Sequence, residues 1–129
     1  MISGEEEARL TLLGVTEVLP ERRGHFLLLD IGPGSTEFVL SREGRASTAV
    51  SVKLGVVELA ERFMDQVPVD HTRYEAMAAL PCLEPGRADL TIPSSAICLA
   101  ALRRLGFDAL VVSDRDLREG ILYEILAGR

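Results

Sequence analysis

Apolar positions along this chain fall into short continuous or alternating runs joined to helical stripes, the pattern of an α/β domain. Ser3 and Glu6 stand ahead of Ala8, Leu10, Leu12 and Leu13, which reads as a capping box opening a helix, Ser3 at the N-cap and the Glu6 carboxylate returning to its backbone N–H. Glu5 in the same first turn suits the helix dipole. Residues 19–24 combine Pro, Gly and charge and read as a surface connection. The first strand, 25–31, holds the run Phe26, Leu27, Leu28 and Leu29, apolar enough to be buried on both faces as a central strand is. A second strand covers 37–41 and turns at 42–44. Thr48, Val50, Val52 and Leu54 then alternate with Ala49, Ser51 and Lys53, a half-exposed third strand that completes an antiparallel meander.

Gly55 breaks that strand, and Val56, Leu59, Ala60 and Phe63 give the following helix one apolar face, with Glu58 and Arg62 spaced to pair on the far side. Residues 65–92 are irregular, with Pro68, Pro81 and Pro85 around a short helical piece at 73–80. Pro93 fits the first turn of a buried helix that Gly106 ends. Residues 109–113 read as a short buried strand, and Asp114 as the N-cap of a last helix with Leu117, Ile121, Leu122 and Ile125 on its core face. The order is βββα then αβα behind a leading helix, a mixed sheet in a single domain over 1–129.

With 129 residues, 47% of them hydrophobic, the chain can build a real core. A net charge of -6 argues against broad binding to nucleic acid or an anionic membrane, both of which call for a basic face. No apolar run approaches a membrane span, and the start lacks a signal-peptide pattern, so a cytosolic protein is expected. Cys82 and Cys98 form no metal-type pair and read as free thiols.

The candidate chemistry lies at Asp30-Ile31-Gly32-Pro33-Gly34-Ser35-Thr36-Glu37, between the first two strands. Such a turn can be a plain hairpin. It can also be a phosphate cradle, because glycines let backbone N–H groups approach an anion closely. Asp30 ends a run so apolar that its carboxylate needs a partner. With Glu37 at the other end, the two carboxylates suit Mg²⁺, which is commonly held by one or two carboxylates plus phosphate oxygens.

Asp-Ile-Gly-x-Gly-Ser-Thr-Glu resembles the signature of the exopolyphosphatase and guanosine pentaphosphate phosphohydrolase family, within the actin, sugar-kinase and Hsp70 superfamily. Residues 2–10, 54–63, Ser113-Asp114 and Leu117-Arg118-Glu119-Gly120 resemble further family segments in the same order. The resemblance implies one ribonuclease-H-like domain, akin to the second half of an actin-like fold. It further implies phosphate held by Gly32, Gly34, Ser35 and Thr36, Mg²⁺ held by Asp30 and Glu37, and Glu7 as the base activating water. The substrate would be polyphosphate or a guanosine penta- or tetraphosphate.

Two departures stand out. Pro33 replaces a usual glycine and removes a backbone donor. A second Gly-Thr-Gly-Gly-Thr-like phosphate segment is missing from 65–91, as is the usual first half that forms the cleft, which leaves a non-catalytic phosphate- or nucleotide-binding module, an inactive fragment, or a kinase-like half as alternatives. A face left bare by the missing partner domain predicts self-association, here a homodimer. Sedimentation at micromolar concentrations checks this, a strictly monomeric profile counting against it.

Overall fold

The computed structural model describes residues 2–19, 23–64, 71–79, 81 and 87–128. Contacts gather into two compact units, one of Met1–Asp30, Glu37–Ser51 and Leu110–Arg129, the other of Ile31–Thr36 and Val52–Ala109.

The first unit is a three-stranded antiparallel sheet with two helices. Helix α1 spans Gly4–Thr16, and the Ser3 hydroxyl caps it by accepting from the Glu6 N–H at 3.2 Å. The reciprocal half of the expected box does not form, because the Glu6 carboxylate is drawn instead to the Arg9 guanidinium, at 2.8 and 2.9 Å. Strands β1 (Phe26–Ile31), β2 (Thr36–Arg42) and β3 (Arg45–Val52) pair in the order β1-β2-β3. The β2–β3 hairpin turns on Glu43 and Gly44, both at positive φ, the turn whose twist matches its strands. Ala8 and Leu12 of α1 meet Leu28 and Val39 in the core, with Val15 and Phe26 against them.

Side chains alternate across a strand, so Asp30 shares the helix-covered face with Phe26 and Leu28, as Glu37 and Ser41 do with Val39. A sequence alternation thus carries two carboxylates out along the core face. Two expectations fail. The first strand, apolar enough for the sheet centre, lies at its edge, and β3 is exposed at every residue rather than half-buried.

Helix α5, Leu117–Leu126, runs antiparallel to α1, as Gly14 lies against Asp116, Leu10 against Gly120 and Arg9 against Glu124. A Cβ on Gly14 would collide with the Asp116 carbonyl, and one on Gly120 with the Leu10 carbonyl, so the two backbones touch with no side chain between them. Arg9 adds an ion pair to Glu124 across the seam at 2.5 Å. The N-cap of α5 is Asp116 rather than the expected Asp114. It wins because Asp116 and Glu119 form a reciprocal capping box, which Asp114 is two residues too early to do.

In the second unit, α2 (Val56–Leu59) runs into a π-helical turn, Ala60–Met64, and α3 occupies His71–Ala78, close to the helical piece expected at 73–80. Helix α4, Ala88–Leu105, starts five residues earlier than expected, so Pro93 sits inside it. Gly106 ends it with φ of 76°, a left-handed C-cap that glycine adopts cheaply. Cys98 is a free thiol; Cys82 lies outside the described residues. Residues 109–113, expected as a buried strand, join no ladder, and Leu110, Val111 and Val112 are exposed. No helix among the described residues is long and apolar enough to cross a membrane.

Gly120→Ala weighs two effects against each other. Alanine gains about 1 kcal/mol of helix propensity, but overpacking costs about 1–3 kcal/mol and more where nothing can yield, and the obstacle is backbone. We therefore expect a net loss of about 2 kcal/mol in urea unfolding. Ser41, fully buried with no hydrogen-bond partner for its Oγ, should behave oppositely. A stranded hydroxyl costs about 1–3 kcal/mol, so Ser41→Ala should leave the urea midpoint unchanged or raise it.

Candidate active site

Four carboxylates converge electrostatically in the first unit. Asp30, half-buried near the end of β1, has its pKa pushed up first by burial, then by the negative charges of Glu37, Asp116 and Glu7. Among the described residues the charged groups acting on it are all acids. Glu37 accepts from the Ser51 hydroxyl of β3 at 2.8 Å, which orients it across the strands. Glu7, exposed in the first turn of α1, is fixed through its backbone, whose N–H donates to the Ser3 carbonyl at 2.9 Å.

Asp116 is the member that sequence reasoning missed. Hydrogen bonds from the Arg118 side chain and backbone N–H hold its carboxyl below the ordinary range, outweighing desolvation. The Asp-x-x-Glu spacing to Glu119 is the signal that could have found it.

Among the described residues no three His, Cys, Asp or Glu side chains are arranged to hold a metal by themselves. A half-buried carboxylate on which three other acids act nonetheless suits a hard cation whose remaining ligands come from phosphate and water, the usual manner of Mg²⁺.

The turn belongs to the second unit and is held from one side. Gly32 donates its N–H to the Ser35 carbonyl at 2.8 Å. The first amides of the α2 segment, Val56 and Val57, donate to the carbonyls of Gly32 and Pro33 at 3.1 and 3.0 Å. Gly55 permits this approach, since a Cβ there would collide with the Pro33 carbonyl. The Thr36 hydroxyl donates to the Leu54 carbonyl at 2.6 Å, and its side chain is buried. Two of the four residues expected at phosphate, Gly32 and Thr36, thus spend their donors on the turn itself.

Gly34 and Ser35 differ. A planar trans peptide points its C=O and N–H in opposite directions. With the Pro33 carbonyl drawn to Val57, the Gly34 N–H of the same peptide is turned the other way. A Cβ on Gly34 would meet nothing within 4 Å, so the space beside it is open. Among the described residues neither the Gly34 nor the Ser35 N–H has a protein acceptor. A free pair of successive amides beside open space is what an anion-binding nest requires.

The fold is mixed α/β around a three-stranded antiparallel sheet. A model of the Ppx/GppA phosphatase family matches residues 1–80, and the chain belongs to that family. A crystal structure of the Aquifex aeolicus family member is similar with a TM-score of 0.75 and 21% identity, over 99% of this chain and 64% of that one. The type II variant of the A. aeolicus Ppx/GppA phosphatase gives 0.74 and 21%, over 95% and 64%. An exopolyphosphatase from Cytophaga hutchinsonii gives 0.72 and 21%, over 98% and 65%. This chain therefore spans just under two thirds of the length of these structures.

The raised pKa of Asp30 fixes a sign. The folded state binds its proton more tightly than the unfolded chain, so this group's contribution to stability is greatest below the unfolded value near 3.8 and is lost as pH rises through the folded value. Asp30→Asn should therefore raise Tm at neutral pH and leave it little changed near pH 3; an unchanged or lower Tm at neutral pH would contradict the shift.

Proposed function

We propose that this chain is a Mg²⁺-dependent phosphohydrolase domain releasing terminal phosphate from inorganic polyphosphate or from guanosine penta- or tetraphosphate. The observation that carries the proposal is the free Gly34–Ser35 amide pair, four residues along the chain from the strained carboxylate of Asp30, in a member of a phosphatase family. Asp30 and Glu37 would supply the protein oxygens for Mg²⁺, whose bound charge would offset that of the phosphate oxygens. The Gly34 and Ser35 amides, with the Ser35 hydroxyl, would seat the terminal phosphate. Gly32 and Thr36 would act by shaping the turn, through the bonds to Ser35 and Leu54. Glu7, exposed on α1, would take the proton of the attacking water. Phosphoryl transfer asks little covalent chemistry of the protein, so positioning and charge compensation suffice. A cytosolic setting fits the same reading, with Cys98 a free thiol.

A second reading, a binding module without turnover, draws on the internal use of the Gly32 and Thr36 donors. The two readings part in one assay. Phosphate release from medium-length polyphosphate and from guanosine pentaphosphate is measured with Mg²⁺ for the wild type, Glu7→Gln and Gly34→Ala. The hydrolase reading expects Glu7→Gln to lose about 10²–10⁴-fold in rate, the usual worth of a general base. It expects Gly34→Ala to fold normally, as its Cβ meets nothing, yet to bind phosphate more weakly. A wild-type chain that binds polyphosphate with Mg²⁺ but does not turn it over establishes the binding module instead.

A further inference from the structure

Two features of the first unit contradict their own sequence. Strand β1 is apolar at Phe26, Leu27, Leu28 and Leu29, the composition of a strand paired on both sides, yet β2 is its only partner among the described residues. Leu110, Val111 and Val112 have the composition of a strand too, yet join no sheet. Among the described residues, the backbone of 108–112 makes no hydrogen bond at all, although Val111 and Val112 are 76% and 84% exposed, the two highest values of any large apolar residue described. An apolar, extended segment with unpaired N–H and C=O groups is a template for strand addition.

We infer that residues 110–112 of one chain add to the free edge of β1 in a second copy, and the reverse, making a two-fold dimer by strand exchange. The occupant is a second copy because one chain holds both unmatched elements: a β1 edge with no partner among the described residues and an apolar segment that joins no sheet. Reciprocal exchange satisfies both in each copy and closes the assembly at two, whereas a one-way addition would leave one edge open and grow into a filament. Leu110, Val111 and Val112 themselves carry no charge, with Asp108 and Asp114 outside the apolar run. Strand β1 also carries Asp30, but the pairing rests on the backbone of that strand and does not assume the proposed phosphate chemistry.

The test uses the full chain. Sedimentation velocity from low to high micromolar concentration is combined with amide hydrogen exchange read by NMR at residues 110–112, for the wild type, Val111→Pro and Val111→Ile. Proline has no N–H to give a ladder, while isoleucine keeps the strand preference. Because Val111 is exposed, neither change should alter the fold of the single copy, which far-UV circular dichroism at high dilution checks. The wild type and Val111→Ile should dimerise, with slowed exchange at 110–112 that grows with concentration, and Val111→Pro should stay monomeric. A monomeric wild type overturns the inference, protected amides then meaning that the segment pairs within its own chain and unprotected ones that another partner covers it. A Val111→Pro variant that still dimerises overturns it as well, by placing the interface elsewhere.

Discussion

Backbone contact between α1 and α5 is the constraint on which the first unit depends. Gly14 and Gly120 let the two helices meet with no side chain between them, and that contact sets how far each slides along the other. The register matters chemically because α1 carries Glu7 in its first turn and α5 begins at Asp116, both within electrostatic reach of Asp30. Arg9 reinforces the seam by joining Glu6 to Glu124, yet it is about two-fifths exposed, so solvent screening leaves that pair worth well under the steric fit of the glycines. Packing places the acids, and burial together with the charges of the other three pushes the Asp30 carboxyl up.

The turn is built on separate logic within its own unit. The start of α2 offers N–H groups that have no helical partner, and the carbonyls of Gly32 and Pro33 satisfy two of them. Peptide planarity converts this structural tie into a chemical one, because fixing the Pro33 carbonyl orients the Gly34 N–H away from the helix. Pro33 takes part in the turn through its carbonyl. Its fixed φ and the missing Cβ of Gly55 both serve to hold that carbonyl in place.

Much of this was legible in the chain. Apolar runs and one alternating stretch predicted three strands near their observed bounds, Ser3 marked the start of α1, and the Asp-Ile-Gly-x-Gly-Ser-Thr-Glu stretch marked the turn with its two flanking carboxylates. What escaped depends on contacts between distant segments. Nothing local distinguishes Gly14 and Gly120 from ordinary helix-weakening glycines, because their reason is the opposing backbone. The Leu54 carbonyl that takes the Thr36 hydroxyl lies 18 residues away, so spacing could not show that this donor is already taken. Pro93 misled because proline favours a first helical turn, whereas α4 begins upstream at Ala88. Residues 109–113 have the composition of a strand, but composition cannot supply the neighbour that a ladder requires.

The central proposal is that Asp30, a carboxylate held among like charges, would be compensated by a cation arriving with phosphate. Its own titration, followed through the ¹³C shift of its carboxyl carbon with and without Mg²⁺ and polyphosphate, tests this most directly. The account predicts a midpoint above the ordinary aspartate value in the free protein and a marked fall when Mg²⁺ and polyphosphate are both present. A midpoint at the ordinary value, or one that Mg²⁺ and polyphosphate together leave in place, would contradict it.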